Sequence, residues 1–132
     1  MSESFESLSA QAGGLRERIN RFRQALGHWF TGRQPVIDLM TTCAVAQEPL
    51  LLVGPPGTAK SEIVLTFIDA LDVPRSQYFE YMLTRFTEPS ELFGPVDIEQ
   101  LKAGHYVRRT EGKLPTAEVA FLDEVFKSNS AI

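Results

Sequence analysis

Leu50-Leu51-Leu52-Val53-Gly54-Pro55-Pro56-Gly57-Thr58-Ala59-Lys60-Ser61 is the stretch whose reading decides the fold of this chain. Four apolar residues suit a short buried strand of a parallel sheet. A Gly/Pro loop follows, and then Lys60-Ser61 open a run, Glu62-Ile63-Val64-Leu65-Thr66-Phe67-Ile68, that reads as a helix. Strand, glycine-rich loop, Lys-Ser and helix form the layout of a phosphate-binding P-loop. In that layout Gly54, Pro55, Pro56, Gly57, Thr58, Ala59, Lys60 and Ser61 surround an anion. Backbone N–H groups and the helix N-terminus point at it. Lys60 supplies a point charge to the β- and γ-phosphates, and the Ser61 hydroxyl completes a Mg²⁺ site. The usual pattern has Gly directly before the Lys; here Ala59 stands there, the smallest possible departure. The plain alternative is a Gly/Pro turn that happens to end in Lys-Ser.

A second motif weakens that alternative. Val119-Ala120-Phe121-Leu122-Asp123-Glu124 is an apolar strand ending in two carboxylates, suited to a strand covered on both faces. Ligands of open α/β sheets gather at the carboxyl ends of the strands, so loop and acids are expected to converge. Asp123 takes the role of a Mg²⁺ partner, the Walker B position. Glu124 is placed to polarise an attacking water as general base. Taken alone, Asp-Glu reads better as a solvated strand end; following a P-loop it reads as the second half of a nucleotide site.

Composition sets the frame. The chain has 132 residues, 43% hydrophobic and 23% charged, with a net charge of −4. Those are the proportions of one soluble globular domain, and the acidic balance gives no general affinity for nucleic acid or anionic membrane. Met1-Ser2-Glu3-Ser4-Phe5-Glu6 lacks the basic and apolar segments of a secretory signal. No apolar run approaches a membrane span. Cys43 is the single cysteine, so no internal disulfide can form and a cytoplasmic location is expected. Its apolar neighbours Met40, Ala44 and Val45 predict a buried, inert thiol.

Along the chain, residues 1–14 are read as a flexible N-terminus rich in Ser, Glu and Gly. Residues 15–132 are read as the N-terminal part of one ATPase-type domain: two leading helices, then a core from about residue 48. Leu15, Ile19, Phe22, Leu26 and Trp29 or Phe30 recur at helical spacing. The interleaved Arg16, Arg18, Arg21 and Arg23 read as a solvated face rather than a nucleic-acid patch. Gly32 and Pro35 separate this helix from a second one carrying Val36, Ile37, Met40, Ala44 and Val45. Past the loop helix, Asp72-Val73-Pro74 breaks the chain and Tyr78-Phe79-Glu80-Tyr81-Met82-Leu83 predicts a strand. Pro89 starts and Gly94-Pro95 stops a short helix. Residues 101–114 suggest a hairpin-like excursion, and the residues after Glu124 the opening of a helix. His105 has no partner His or Cys nearby and reads as a surface or packing residue.

These residues resemble the MoxR family of AAA+ ATPases, and within it the RavA-like branch. The resemblance runs from about Leu50 to Ile132. It rests on Leu-Leu-Val-Gly-Pro-Pro-Gly-Thr-Ala-Lys-Ser at 51–61, Leu-Thr-Arg-Phe-Thr-Glu-Pro at 83–89, Glu-Leu-Phe-Gly-Pro at 91–95 and the run at 114–132 that contains Asp123-Glu124. Ala59 is what this family usually carries. The resemblance implies a three-layer α/β P-loop fold with a parallel sheet of strand order 5-1-4-3-2 between flanking helices. It also implies ATP and Mg²⁺ as cofactors, with Asp123 and Ser61 serving the metal and Glu124 activating water. Family members are expected to form rings, usually hexamers, that remodel or activate client proteins beside a partner carrying a von Willebrand factor A domain. Neither nucleic-acid binding nor membrane insertion is implied. The sensor residues, the arginine finger, the helical lid and strand four have no counterpart in these residues, so the chain reads as an N-terminal fragment with an incomplete sheet, by itself inactive. The duty of Glu91-Leu92-Phe93-Gly94, where the clade has an inserted element, is not assigned by the resemblance. The competing classes are a nucleotide-binding module without turnover, a P-loop kinase and a helicase-type motor.

Overall fold

The computed structural model describes residues 2–55 and 57–129. Pro56 of the phosphate loop, Met1 and residues 130–132 lie outside the described residues. The chain divides into two compact units, Met1–Ile63 and Val64–Ile132, and the division falls within a helix.

The first unit is built on two helices, α1 (Ser2–Trp29) and α2 (Gln34–Ala46). Helix α1 begins at Ser2 rather than near Leu15, running through Gly13 and Gly14 despite their poor helix propensity. Its inward face carries Leu26, which is buried, while Trp29 is exposed and Phe30 half-buried. Pro35 lies in the first turn of α2, where its missing N–H costs nothing, and Gln47 ends the helix in the left-handed conformation. Ile37, Met40 and Thr41 are the buried face of α2. The two helices are tied by Arg23, whose Nη2 and Nε lie 2.6 and 2.8 Å from Asp38 Oδ1. Gln34 adds a bond to the same oxygen at 2.7 Å, and these donors hold the Asp38 carboxyl below its usual range, Arg23 most of all. Cys43 is a free thiol, half-buried rather than fully enclosed as expected.

Residues 50–53 form no strand, which corrects the sequence reading: Leu51 and Val53 are 58% and 72% exposed. A strand exists only where a neighbour completes its ladder. In the expected order the neighbours of strand one are strands four and five, and the described residues supply neither. Helix α3 (Lys60–Ala70) starts at the loop lysine, as the motif predicts.

The second unit holds the sheet. Strands β1 (Tyr78–Met82) and β2 (Val119–Asp123) pair in parallel, Tyr78 opposite Val119 and Met82 opposite Asp123. Adjacent parallel pairing is what the order 3-2 implies for these two segments. Residues of β2 are half-buried or exposed, not covered on both faces. The core beneath is Phe79, Leu83 and Leu92, with Phe93, Leu114 and Leu122 packed against it. Between the strands lie the short helices α4 (Pro89–Phe93) and α5 (Ile98–Lys102). Helix α4 has its starting signals in the sequence: Pro89 in the first turn, and Glu91, whose carboxylate accepts the Glu88 N–H at 2.7 Å in a capping box. It stops at Gly94, whose φ of +88 suits only glycine, and any Cβ there would collide with the Arg109 carbonyl. The predicted hairpin is instead α5 flanked by one antiparallel bridge, Val96 to Arg108. Past Glu124 the chain forms a single 3₁₀ turn, Val125–Lys127.

Candidate functional site

The loop of the first unit is closed on itself by its own lysine. Lys60 Nζ donates to the carbonyl oxygens of Gly54 and Pro55, both at 2.8 Å, and lies 3.5 Å from Thr58 Oγ1. Thr58 Oγ1 in turn donates to Pro55 O at 2.9 Å. Gly57 has φ +75, a turn conformation open to glycine at no steric cost, and a Cβ there would meet nothing within 4 Å. Ala59 takes φ +55, also in the left-handed region. Ser61 sits half-buried in the first turn of α3. The ammonium, the loop amides and the Ser61 hydroxyl are the donor set that a polyphosphate and its Mg²⁺ ion require, so the residues present fit that group. Gly54, Pro55 and Thr58 of the loop line a cavity of about 210 Å³ together with apolar Val36, Leu52, Val53 and Ile63 and two cations, Arg33 and Lys60. Arg33 was not singled out by the sequence. Its Nη2 donates to the Thr58 carbonyl at 3.2 Å.

The two acids stand together at the end of β2 in the second unit. Asp123 is half-buried and Glu124 exposed. Glu124 has φ +56 and ψ +39 and opens the 3₁₀ turn that follows. Its N–H donates to Asp123 Oδ1 at 2.8 Å, which ties the two acids into one local unit. Glu124 Oε1 lies 3.1 Å from Lys127 Nζ, an exposed pair three residues apart.

The segment after β1 is knitted to this strand end. The Leu83 amide donates to Asp123 O at 2.9 Å. Thr87, buried, accepts the Thr84 N–H through its hydroxyl at 2.9 Å. Asn129 Nδ2 donates to the carbonyls of Arg85 and Thr87 at 3.1 and 3.2 Å. Helix α4 is fixed by Tyr81, whose hydroxyl donates to Glu91 Oε1 at 2.6 Å. That bond pushes the Tyr81 phenol up and, together with the Glu88 amide, the Glu91 carboxyl down. Asp97 caps α5 through the amides of Glu99 and Gln100 and pairs with Arg109 Nε at 2.9 Å. The Arg109 guanidinium, then the Gln100 amide, hold its carboxyl below the ordinary value.

Comparison with known proteins agrees with the motifs. Residues 17–132 match the family model described as the MoxR domain in the MoxR-vWA-beta-propeller ternary systems. Two relatives from Methanocaldococcus jannaschii are similar over most of the chain. The uncharacterized protein MJ0079 is 42% identical over 89% of it, and the uncharacterized protein MJ0812 is 44% identical over 86%. The structural protein ORF618 of Acidianus two-tailed virus is 30% identical over the whole chain. The chain spans 30% of the length of each archaeal relative and 21% of the viral one. The match is to the family and does not single out its RavA-like branch. On the match over residues 17–132, the chain belongs to the MoxR family.

Proposed function

We propose that this chain is the nucleotide-binding part of an AAA+ ATPase of the MoxR type, which binds ATP with Mg²⁺ and hydrolyses it to remodel or activate partner proteins. The observation that carries this reading is the loop: a lysine at the start of α3 wrapped over the carbonyls of Gly54 and Pro55. Binding a triphosphate would exchange those carbonyls for phosphate oxygens at the ammonium. Gly54, Pro55, Pro56, Gly57, Thr58, Ala59, Lys60 and Ser61 are assigned to the phosphates. Ser61 and Asp123 are assigned to Mg²⁺, which when bound neutralises charge developing on the phosphates. Glu124 is assigned as the general base for water. In the wider assembly a ring of such subunits, a hexamer by family resemblance, would act beside a protein with a von Willebrand factor A domain. The matched family, whose description couples MoxR to vWA, supports that partner. Among the described residues no helix is long and apolar enough to cross a membrane, and a cytoplasmic site of action is proposed.

The test is titration with a fluorescent ATP analogue. Lys60→Ala removes the one cation delivered by the loop itself and is expected to abolish binding. Unchanged affinity in a folded Lys60→Ala protein would remove the central assignment.

A further inference from the structure

We propose that Arg33 is a positioning residue of the nucleotide site. Its guanidinium braces the Thr58–Ala59 peptide and so fixes the side to which the Ala59 amide points. This role presupposes the phosphate-loop reading above and adds what holds the loop in shape. Arg33 is itself anchored. Its N–H donates to Phe30 O at 3.1 Å, and its carbonyl accepts from the amides of Val36 and Ile37 at 3.0 and 3.2 Å. The side chain therefore leaves a fixed point at the start of α2 and reaches Thr58 O across 25 positions of sequence.

The peptide that it grips needs holding. Ala59 has φ +55, a conformation that glycine enters freely and alanine only against the clash of its Cβ with the backbone. A trans peptide is planar, with C=O and N–H on opposite sides. Fixing the Thr58 carbonyl toward Arg33 therefore turns the Ala59 N–H to the other side of the loop. A flip of this peptide would relieve Ala59 but would present a carbonyl oxygen, not an amide, to an anion. Arg33 thus offsets the presence of alanine where the common pattern has glycine. It works through the peptide, whereas Lys60 would meet the phosphates directly.

The experiment measures the Kd for a fluorescent ATP analogue in the parent, Arg33→Ala, Arg33→Lys, Ala59→Gly and the Arg33→Ala/Ala59→Gly double variant. Arg33→Ala is expected to weaken binding about five- to tenfold, the scale of a typical hydrogen bond after exchange with water. Arg33→Lys is expected to recover part of that loss. In the Ala59→Gly background the left-handed conformation is no longer strained. The Arg33→Ala loss is there expected to shrink to about twofold or less, the signature of coupling between neighbours. An equal loss in both backgrounds would mean that Arg33 acts only by long-range charge and would overturn the proposal. So would a fall in the melting temperature of nucleotide-free Arg33→Ala large enough to account for the loss. Parental affinity in Arg33→Ala, beside lost binding in Lys60→Ala, would overturn the role of Arg33 and leave the nucleotide reading standing. Parental affinity in Lys60→Ala as well would bring down both.

Discussion

The amide of Leu83, one residue past the end of β1, donates to the carbonyl of Asp123, the last paired residue of β2, at 2.9 Å. The turn at residues 84–87 therefore hangs directly from the strand end that presents the two acids. Its geometry is set by hydroxyls: Thr87 Oγ1 accepts the Thr84 amide at 2.9 Å and lies 3.3 Å from Thr84 Oγ1.

Thr87 is 3% exposed, and its hydroxyl is the partner of the Thr84 amide in a part-buried bond whose donor residue is itself exposed. Thr87→Val keeps the volume and is expected to cost about 1 kcal/mol of stability, the net worth of a typical hydrogen bond. Thr87→Ser keeps the acceptor and is expected to stay closer to the parent. Urea unfolding of the three proteins checks this. Equal midpoints for Thr87→Val and the parent would show that the hydroxyl does not hold the turn.

Glu124→Gln separates binding from chemistry. Gln keeps the shape but is a poor proton acceptor, and loss of a general base typically costs ~10²–10⁴-fold in rate. The exposed Lys127 partner means that the substitution removes only a surface ion pair, of small worth to stability. In the full-length protein, ATP-analogue affinity is expected to persist while phosphate release falls by that factor. Parental turnover in Glu124→Gln would assign the base elsewhere.

Local signals were the legible part of this chain. Helix α4 follows from Glu88, Pro89, Glu91 and Gly94, four residues that act within one or two turns of one another. The start of α3 at Lys60 follows from the loop motif, and β1 and β2 from their apolar runs. Residues 50–53 carry an equally strong run, yet a strand is a property of two segments, and pattern cannot supply the missing partner. The extent of α1 was hidden because residues 2–14 lack apolar periodicity and include Gly13-Gly14, which reads as a break. Arg33 was hidden for another reason: its bond to Thr58 joins positions far apart in sequence and involves a backbone carbonyl, which leaves no residue-type signature.

Asp97 makes the base of the α5 excursion sensitive to acid. Its carboxylate accepts from Arg109 and from two amides, and its pKa lies below the ordinary 3.8. A carboxyl whose folded pKa is lower than its unfolded one adds stability above the unfolded value and loses it as pH falls through the folded one. Protection of the Glu99 and Gln100 amides is therefore expected to hold at neutral pH and to decline below about pH 4, near the model-peptide value for Asp. Asp97→Asn keeps an acceptor oxygen but cannot titrate, so its protection is expected to be lower at neutral pH and flat across that window. Amide exchange read by NMR distinguishes the two. A parent as flat as Asp97→Asn would show that the carboxylate charge is not what holds this base together.

Residues 1–132 produced by themselves are expected to bind nucleotide weakly and not to hydrolyse it. The loop falls in the first unit, and Asp123 with Glu124 in the second. In the AAA+ strand order the segment 50–53 and β2 are joined through strand four, and the segment is unpaired here, with Leu51 and Val53 exposed. Strands of a sheet lie ~4.8 Å apart, so in that order the loss of strand four would misplace loop and acids by distances of that size. A misplacement of ~1 Å can already cost ~10²-fold in rate. An arginine finger from a neighbouring subunit, where one is used, contributes a further ~10³–10⁵-fold by analogy with GTPases. The exposed apolar segment and the open edges of a two-stranded sheet also favour association between copies. Phosphate release and light scattering on purified residues 1–132 test this together. Steady turnover from a monodisperse, cooperatively melting sample would show that loop and acids are aligned without strand four.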